Sequence, residues 1–390
     1  MKTTRWSLGC WLSLLPLVTA AGTVVQVENG MHEQFQAIAA VPVSAAQAGG
    51  LAKASLVEIG ANGERMGAVP SVVDASGDAP QLVLMLPGVT EAGGQRRFLA
   101  VPGAAPAASS DLVVESTEKE LVIRNSYFEI RHPRKGAGGL PKGVRFQLSG
   151  RNDPDLYLLD RIYRRETKRQ YLLAYDPEST AKVVLQSPLR VVVETQARYC
   201  LNRKPAPGTP RATYRFVYSP YSPVVGVTSK MEKDDDGLWN ELHFLHLTRN
   251  EFHYTNFVTG NGGNLHPMNT PGEKSKSISD SRWAVMATEA DAAGAGYGRV
   301  TCWDASDEFY YYVCPDRMQW SAKTVDRSNA LYFGPASADS AWYSRWLSGP
   351  SLTTRLVSSE VAAAAPETLP PPKGAHELQN DALRLVFAGA

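Results

Sequence analysis

Strand-forming runs succeed one another through the middle of this chain without a helical segment between them, which restricts the fold more than any other feature. Residues 182–199 (KVVLQSPLRVVVETQARY) and 212–232 (ATYRFVYSPYSPVVGVTSKME) are rich in Val, Thr, Tyr and Phe and are interrupted by proline. Residues 127–131 alternate, so that Phe128 and Ile130 share one face of a strand. Strands at this frequency predict an all-β fold of antiparallel sheets.

Two segments rich in small residues and proline divide the chain. They are GAAPAASS at 103–110 and EVAAAAPETLPPPKGA at 360–375, and both favour extended linkers. The predicted organisation is a signal peptide at 1–21, a small β-sandwich at 22–102, a linker at 103–111, a large antiparallel β domain at 112–358, a linker at 359–375 and the start of a further β domain at 376–390.

Local signals support this division. Asn62-Gly63 lies between two short strand-like runs, which predicts a hairpin in the small β-sandwich. Near the end of the large domain, Trp342 and Trp346 are spaced four residues apart, which predicts a helix within 337–349.

The last residues begin a pattern that stops unfinished. HELQNDALRLVFAGA at 376–390 is similar to LVIRNSYFEI at 121–130. We expect these residues to start a domain of a longer protein whose further C-terminal domains are missing. The alternative is a final strand that joins an existing sheet.

Charge and the first residues bear on location and partners. The 390 residues include 40 Lys and Arg and 39 Asp and Glu, a balance that argues against binding nucleic acid. Lys2 and Arg5 precede an apolar run at 6–18 and a small-residue cleavage site at 18–20, as in a secretory signal peptide. The run is too short to span a bilayer. We therefore expect a secreted protein, periplasmic or extracellular, with no membrane span.

Export would permit disulfides, and removal of the signal peptide leaves Cys200, Cys302 and Cys314. A hairpin that turns at 304–307 would place Cys302 opposite about residue 310, so this register does not favour a pair with Cys314. A disulfide and three free thiols both stay open.

Three of the seven histidines fall in NELHFLHLTRNEFHY, residues 240–254. On a strand, side chains alternate between faces, so His243 would share a face with Glu241 and His246 would lie on the other. This separation argues against a metal site built from the two imidazoles. His253, after a turn near Arg249, could lie beside either one.

The same stretch carries the side chains that bind sugars, which need acids and amides for hydroxyl groups and aromatic faces for C–H patches. The predicted substrate-binding residues are Trp239, Asn240, Glu241, His243, Arg249, Trp283 and Trp303. The candidates for acid–base catalysis are His243, His246, His253 and Glu241. The alternative is that the imidazoles are only hydrogen-bonded and the tryptophans pack in the core.

No cofactor is predicted. The three carboxylates of KDDDG at 233–237 offer hard oxygens for a structural calcium ion, but they do not match the spacing of the twelve-residue calcium loop. An exposed acidic turn is the favoured interpretation.

Three stretches carry a resemblance to a known family. They are ELVIRNSYFEIRHPRKGAGGLPKGVRF at 120–146, SPLRVVVET at 187–195 and ATYRFVYSPYSPVVGVTSKMEKDDDGLWNELHFLHL at 212–247. Together they resemble the galactose-mutarotase-like super-sandwich domains of secreted glycoside hydrolases and polysaccharide lyases, over about residues 120–330. The resemblance implies a concave sheet face that holds sugar. The His and Glu of the true mutarotases are not matched residue by residue to positions of this sequence, so their catalysis is not carried over.

The resulting hypothesis is the carbohydrate-binding N-terminal portion of a secreted polysaccharide-degrading enzyme, with a polysaccharide or oligosaccharide as partner. One alternative is a catalytic module, either a polysaccharide lyase or a mutarotase-like epimerase. The other is a non-enzymatic surface adhesin or scaffold. Trp239, Glu241, His243 and Arg249 in one cleft would favour the first two, and their scatter over opposite faces would favour the third.

Overall fold

A computed structural model describes residues 22–30, 32–248, 254, 256–260, 265–267, 275–276, 283–288, 293–298, 302–307, 310–314, 316–337, 340–347 and 352–358. The predicted signal peptide, the linker at 359–375 and the tail at 376–390 lie outside these residues. No helix within the described ranges has the length and apolar character needed to cross a bilayer.

Strands account for most of the regular secondary structure of the described residues. The first part of the chain contains β1 (Thr23–Asn29), β2 (Gln34–Phe35), β3 (Ile38–Pro42), α1 (Ala45–Leu51), β4 (Ala54–Ile59), β5 (Arg65–Val69), β6 (Ser71–Asp74), β7 (Gln81–Met85), β8 (Val89–Thr90) and β9 (Gln95–Pro102). Next come β10 (Val113–Ser116), β11 (Glu120–Arg124), β12 (Phe128–Pro133), β13 (Lys142–Phe146), β14 (Asn152–Arg164), β15 (Arg169–Leu172), β16 (Thr180–Ser187), β17 (Arg190–Arg198), β18 (Cys200–Leu201), β19 (Lys204–Pro205), β20 (Arg211–Tyr218) and β21 (Val224–Glu232), with 3-10 turns at Ala137–Gly139 and Leu173–Tyr175. The remainder contains β22 (Trp239–Thr248), β23 (Asn256–Thr259), β24 (Leu265–Pro267), β25 (Ser275–Lys276), β26 (Trp283–Ala287), β27 (Gly294–Gly298), β28 (Cys302–Asp307), β29 (Tyr310–Cys314), β30 (Asp316–Trp320), β31 (Thr324–Gly334), α2 (Ser340–Leu347) and β32 (Leu352–Ser358).

The small N-terminal sandwich packs one sheet, ordered β32-β1-β9-β4-β5, against a second, ordered β3-β7-β6. Val25 and Phe98 from the first sheet meet Val41 and Leu84 from the second in one buried cluster. The hairpin of β4 and β5 turns at Asn62-Gly63 as predicted, with Gly63 at φ 83°, where glycine carries no steric penalty.

The strand that closes this sheet comes from far along the chain. Residues 352–358 were predicted to belong to the large domain, whereas β32 pairs along the whole of β1, from Thr23 opposite Ser358 to Asn29 opposite Leu352. Leu352 and Leu356 pack on the N-terminal core, which gives the physical reason for the pairing.

The large domain consists of two extended antiparallel sheets packed face to face, and the all-β fold prediction is confirmed. One sheet runs β10-β11-β12-β13-β14-β22-β29-β28-β25, and the other runs β16-β17-β20-β21-β31-β27-β26-β23-β24. Phe128 and Ile162 of the first sheet and Phe216 and Val227 of the second belong to one continuous core. In strands with one buried face, buried and more exposed residues alternate, as in β20, where every second residue is buried.

The two sandwiches are joined by buried contacts. Arg190 of β17 donates to Asp74 of β6 at 3.0 Å, and both side chains are less than a tenth exposed. Val83 and Met85 of β7 pack beside Leu189 at the same junction. A buried ion pair set beside apolar contacts fixes the relative placement of the two sandwiches.

The helices show what periodicity can and cannot reveal. Helix α2 lies within the predicted 337–349 segment, so that prediction is confirmed. Helix α1 was not predicted, because it has seven residues and only Leu51 among them is buried. Its start is nevertheless marked by a capping box, in which Ser44 and Gln47 exchange hydrogen bonds.

The register expected for the cysteine hairpin is wrong. Strand β28 continues to Asp307 instead of turning at 304–307, and β29 begins at Tyr310. Cys302 is therefore the direct cross-strand partner of Cys314. Cys200 is buried with a free thiol, and burial raises the pKa of that thiol to about 11.

Candidate functional site

Strand β22, which carries the histidines, lies inside the first large sheet between β14 on one side and β29 and β30 on the other. His246 lies opposite Leu159, and His243 lies opposite Arg161. Two residues of β22, Phe244 and Leu245, thus face the single Asp160 of β14, which is a β-bulge. The extra residue reverses the alternation of side chains along the strand.

The bulge brings the two imidazoles together. His243 Nδ1 lies 2.6 Å from His246 Nε2, and the ring centroids are 4.4 Å apart. The prediction that a strand separates them onto opposite faces is wrong, because it assumed unbroken alternation. Leu245 absorbs the irregularity with φ 38°, a left-handed conformation that is unfavourable for a side chain of this kind.

A buried carboxylate holds the bulge in place. Asp160 accepts hydrogen bonds from the Tyr199 hydroxyl at 2.6 Å, from the Tyr214 hydroxyl, and from the backbone N–H of Leu245 at 3.3 Å. Burial raises the pKa of Asp160 to about 7, although these three hydrogen bonds oppose the rise. The bond to Leu245 ties the strained backbone of β22 to the neighbouring strand β14.

The imidazoles form a hydrogen-bonded chain with one carboxylate. Glu241 Oε2 lies 2.7 Å from His243 Nε2, so the carboxylate accepts a proton carried on that nitrogen. A neutral His243 then has an accepting Nδ1, and His246 donates to it from Nε2. The Arg161 guanidinium lies 3.4 Å from His243 Nε2. We call Arg161, Glu241, His243 and His246 the imidazole cluster.

Within the imidazole cluster, Glu241 and Arg161 are partly exposed and the two histidines are buried. The Glu241 side chain is 24% exposed, whereas the His243 side chain is 1% exposed and His246 is buried. Such a chain can pass a proton between its members, and its exposed carboxylate can accept a hydrogen bond from a ligand hydroxyl. The sequence predicted Glu241 and His243 as members of one site, and the structure brings them together.

Trp239 takes a structural position instead of the predicted sugar-stacking one. It has no exposed surface, and its ring lies 4.3 Å from the Arg164 guanidinium and 5.5 Å from the Tyr171 ring. A ring covered in this way offers no face to a sugar that arrives from solvent. The prediction for Trp239 is wrong because the sequence shows only that a tryptophan is present. Whether its ring is buried or exposed to a sugar depends on the packing around the strand.

The other predicted binding residues are dispersed. Asn240 Oδ1 accepts from the backbone N–H of Arg165 at 2.6 Å, which fixes the end of the β14 hairpin. Trp283 is 1% exposed and packs on Tyr343 of α2, so it belongs to a second apolar cluster and not to a binding surface. Arg249 and His253 lie outside the described residues, as does the Trp303 side chain.

The acidic turn is held by neighbouring groups. Asp234 pairs with Arg211 at 2.9 Å, and Asp236 lies 3.6 Å from the Lys323 ammonium. Across the described part of the chain, no group of three or more His, Cys, Asp or Glu side chains is arranged to hold a metal ion.

Sequence reasoning missed Asp160 and Arg161. A signal for the first was present, because Leu156, Leu158 and Ile162 mark the buried face of β14 and Asp160 stands in the same alternating series. An acid at a core position needs several hydrogen-bond donors, which is what Tyr199 and Tyr214 supply. No comparable signal marks Arg161.

Comparison with known proteins identifies the architecture. No family model matches this sequence, and no curated protein matches it. An α-mannosidase from Enterococcus faecalis V583 superposes on 89% of this chain and 47% of its own, with a TM-score of 0.60 and 9% identity. A glycosyl hydrolase family 38 protein from Enterococcus faecalis superposes on 87% of this chain and 48% of its own, with a TM-score of 0.56 and 10% identity.

The chain thus spans about half the length of these two enzymes. A galactose mutarotase-like protein from Lactobacillus casei ATCC 334 covers 58% of this chain with a TM-score of 0.35 and 11% identity, a likeness too low to support an argument. At such identities only the fold is shown. The chain has a sandwich fold that glycoside hydrolases contain, and its predicted resemblance to their galactose-mutarotase-like domains is confirmed at the level of the fold.

Proposed function

We propose that this chain is the β-sandwich part of a carbohydrate-active enzyme and that it binds carbohydrate. The observation that carries the proposal is the superposition of 89% of the chain on an α-mannosidase. Because the superposed part is only 47% of that enzyme, we place the bond-breaking chemistry of our protein in a catalytic domain outside this chain. The β-sandwiches then bind the polysaccharide and position it.

A glycan array tests the binding. The purified full chain should be retained by at least one class of polysaccharide. Trp239→Phe is the matched variant. Because Trp239 is buried, the variant protein should bind carbohydrate as the wild type does. If Trp239 instead stacked on sugar, the variant would bind carbohydrate more weakly. Failure of the wild type to bind any carbohydrate on the array contradicts the proposal.

The imidazole cluster favours a second candidate, acid–base catalysis on a sugar. Glu241 and His243 form an acid–base pair at 2.7 Å with its carboxylate open to solvent, the arrangement needed to move a proton at an anomeric hydroxyl or beside a uronic acid carboxylate. Polarimetry of hexose anomers measures mutarotation, and the ultraviolet absorbance of unsaturated uronides measures lyase cleavage. His243→Gln should abolish either one and His32→Gln should not, and a wild-type rate equal to that of buffer removes this candidate.

We propose that the protein is exported. The positive start and the apolar run at 6–18 support this proposal. Edman sequencing of the protein recovered outside the cytoplasm should start near residue 21. Recovery of all the protein with an intact N-terminus from the cytoplasm would contradict export.

A further inference from the structure

A cleft lies at the edge of the larger sandwich, and none of the predicted sugar-binding residues lines it. Its volume is ≈ 520 Å³, within the range of ordinary ligand pockets. The lining residues are Gly136, Ala174, Tyr175, Asp176, Pro177, Asn202 and Arg203. Tyr175 is 46% exposed, in contrast to the buried Trp239 and Trp283.

Local backbone geometry presents the two most prominent side chains. The 3-10 turn Leu173–Tyr175 buries Leu173 and leaves the ring of Tyr175 at the surface. Between β18 and β19, Asn202 and Arg203 form a two-residue turn with φ 50° and 64°, the conformation of a type I′ hairpin. The tip of this tight hairpin holds Arg203 at the wall of the cleft.

A second hairpin brings more positive charge to the same edge. Strand β15 runs antiparallel to β18, with Leu172 opposite Cys200, so the turn between β14 and β15 lies on the side of the Asn202-Arg203 turn. The two turns and the strand residues that directly follow them carry five exposed cations, and among the ion pairs of the described residues none involves them. They are Arg165, Lys168, Arg169, Arg203 and Lys204. We call these five residues the basic edge.

Negative charge inside the cleft is already compensated. Asp176 is the acidic group that lines it, and its carboxylate accepts from Arg198 at 2.9 Å and from the Arg198 backbone N–H at 2.8 Å. Within the two turns that carry the basic edge, Glu166 is the one carboxylate. The chain as a whole has a net charge of +1, so the basic edge is a local concentration of charge.

We infer that this cleft binds an acidic polysaccharide, with a sugar ring against Tyr175 and the uronate or sulfate groups of the chain along the basic edge. The inference rests on the proposed carbohydrate binding and names its site and its class of ligand. Arginine binds carboxylates and sulfates through paired, charge-assisted hydrogen bonds. An exposed tyrosine supplies an apolar face for the pyranose ring and a hydroxyl for its substituents. A repeating anionic chain matches cations spread over two neighbouring turns.

Affinity electrophoresis and calorimetry with polygalacturonate, dextran sulfate and neutral mannan test the inference on the full chain. The wild type should bind the two acidic polymers and bind mannan more weakly. Arg203→Gln should weaken polygalacturonate binding about tenfold, since a hydrogen bond to a charged group contributes about that factor. Tyr175→Ala should also weaken it about tenfold, since it removes the aromatic face against which the sugar ring packs. Tyr175→Phe should retain most of the affinity, because it keeps the ring. Arg131→Ala, which removes an exposed cation elsewhere, should bind as the wild type does.

The outcomes separate the site from the function. Binding of mannan alone, or binding of polygalacturonate that is unchanged in Arg203→Gln and Tyr175→Ala, overturns the inference and leaves carbohydrate binding intact. Absence of binding to every carbohydrate overturns both. Duplex DNA that binds as tightly as polygalacturonate, with the same losses in the variants, overturns the assignment to sugar. All variants concern exposed side chains, and equal urea midpoints confirm that they are folded.

Discussion

Asp160→Asn probes the carboxylate that holds the bulge of β22. The pKa of Asp160 in the folded protein is about 7, raised by burial from an ordinary value of 3.8. At 1.36 kcal/mol per pKa unit, this difference of about three units corresponds to about 4 kcal/mol. The folded state binds this proton more tightly than the unfolded state, so the contribution is complete below pH 3.8. It is lost as the pH rises from about 4 to about 7.

His132 changes stability in the opposite direction over part of the same range. Burial lowers the pKa of His132 to about 4 from 6.5, although its hydrogen bond to Gly139 opposes this. Since the unfolded state binds that proton more tightly, the contribution is complete above pH 6.5 and about 3 kcal/mol is lost as the pH falls to about 4. The two effects largely cancel in the wild type, so the wild-type profile alone does not reveal either group.

Urea unfolding of the wild type and Asp160→Asn from pH 4 to 8 separates them. The free energy of unfolding of the variant minus that of the wild type should rise by about 4 kcal/mol between pH 4 and pH 7, because Asn does not titrate. Asp176→Asn is the control whose difference from the wild type should stay nearly constant over this range, because a carboxylate with a pKa below 3.8 is ionised in both the folded and the unfolded state above about pH 5. Burial would raise the pKa of Asp176, but the hydrogen bonds from Arg198 and the backbone outweigh burial and lower it. A difference for Asp160→Asn that is flat across this range would contradict the raised pKa of Asp160.

Three further variants test other contacts. Trp239→Ala should lower the free energy of unfolding by about 3–5 kcal/mol in urea titrations, because it empties a fully buried site, and a loss below about 1 kcal/mol would contradict that burial. Arg190→Ala should cost about 3–5 kcal/mol in the same assay, because it leaves the Asp74 carboxylate between the sandwiches without its positively charged partner, and an unchanged midpoint would contradict that contact. Under oxidising conditions, Cys302 and Cys314 should form a disulfide, because directly opposed residues of antiparallel strands have a Cα separation that suits a disulfide. Non-reducing peptide mapping detects it, and recovery of both cysteines as free thiols would contradict the register.

The fold was largely predictable because its signals are local. Alternation at 127–131 identified one strand, and Asn62-Gly63 identified one turn. The pairing of 352–358 with 23–29 was not predictable. The alternation of residues along a strand shows which of its faces is apolar, but it does not show which distant strand will pair with it. The return of the chain to the first sheet depends on packing against the N-terminal core.

The candidate site was less predictable for a specific physical reason. Alternation assigned His243 and His246 to opposite faces, and the bulge at Leu245 reversed that assignment. Bulges of this kind are signalled by glycine, and leucine gives no such sign. The prediction that Trp239 stacks on a sugar is also wrong, because Trp239 is buried. A tryptophan in a strand packs in a core as readily as it stacks on a sugar.

Calorimetric titration of the purified protein with acidic and neutral polysaccharides tests whether this chain binds carbohydrate. We expect saturable binding to at least one polysaccharide, strongest for an acidic one and weakened by salt as expected for charge-assisted contacts. Heats that match those of dilution for every polysaccharide, from a protein shown to be folded by its cooperative unfolding, would contradict it.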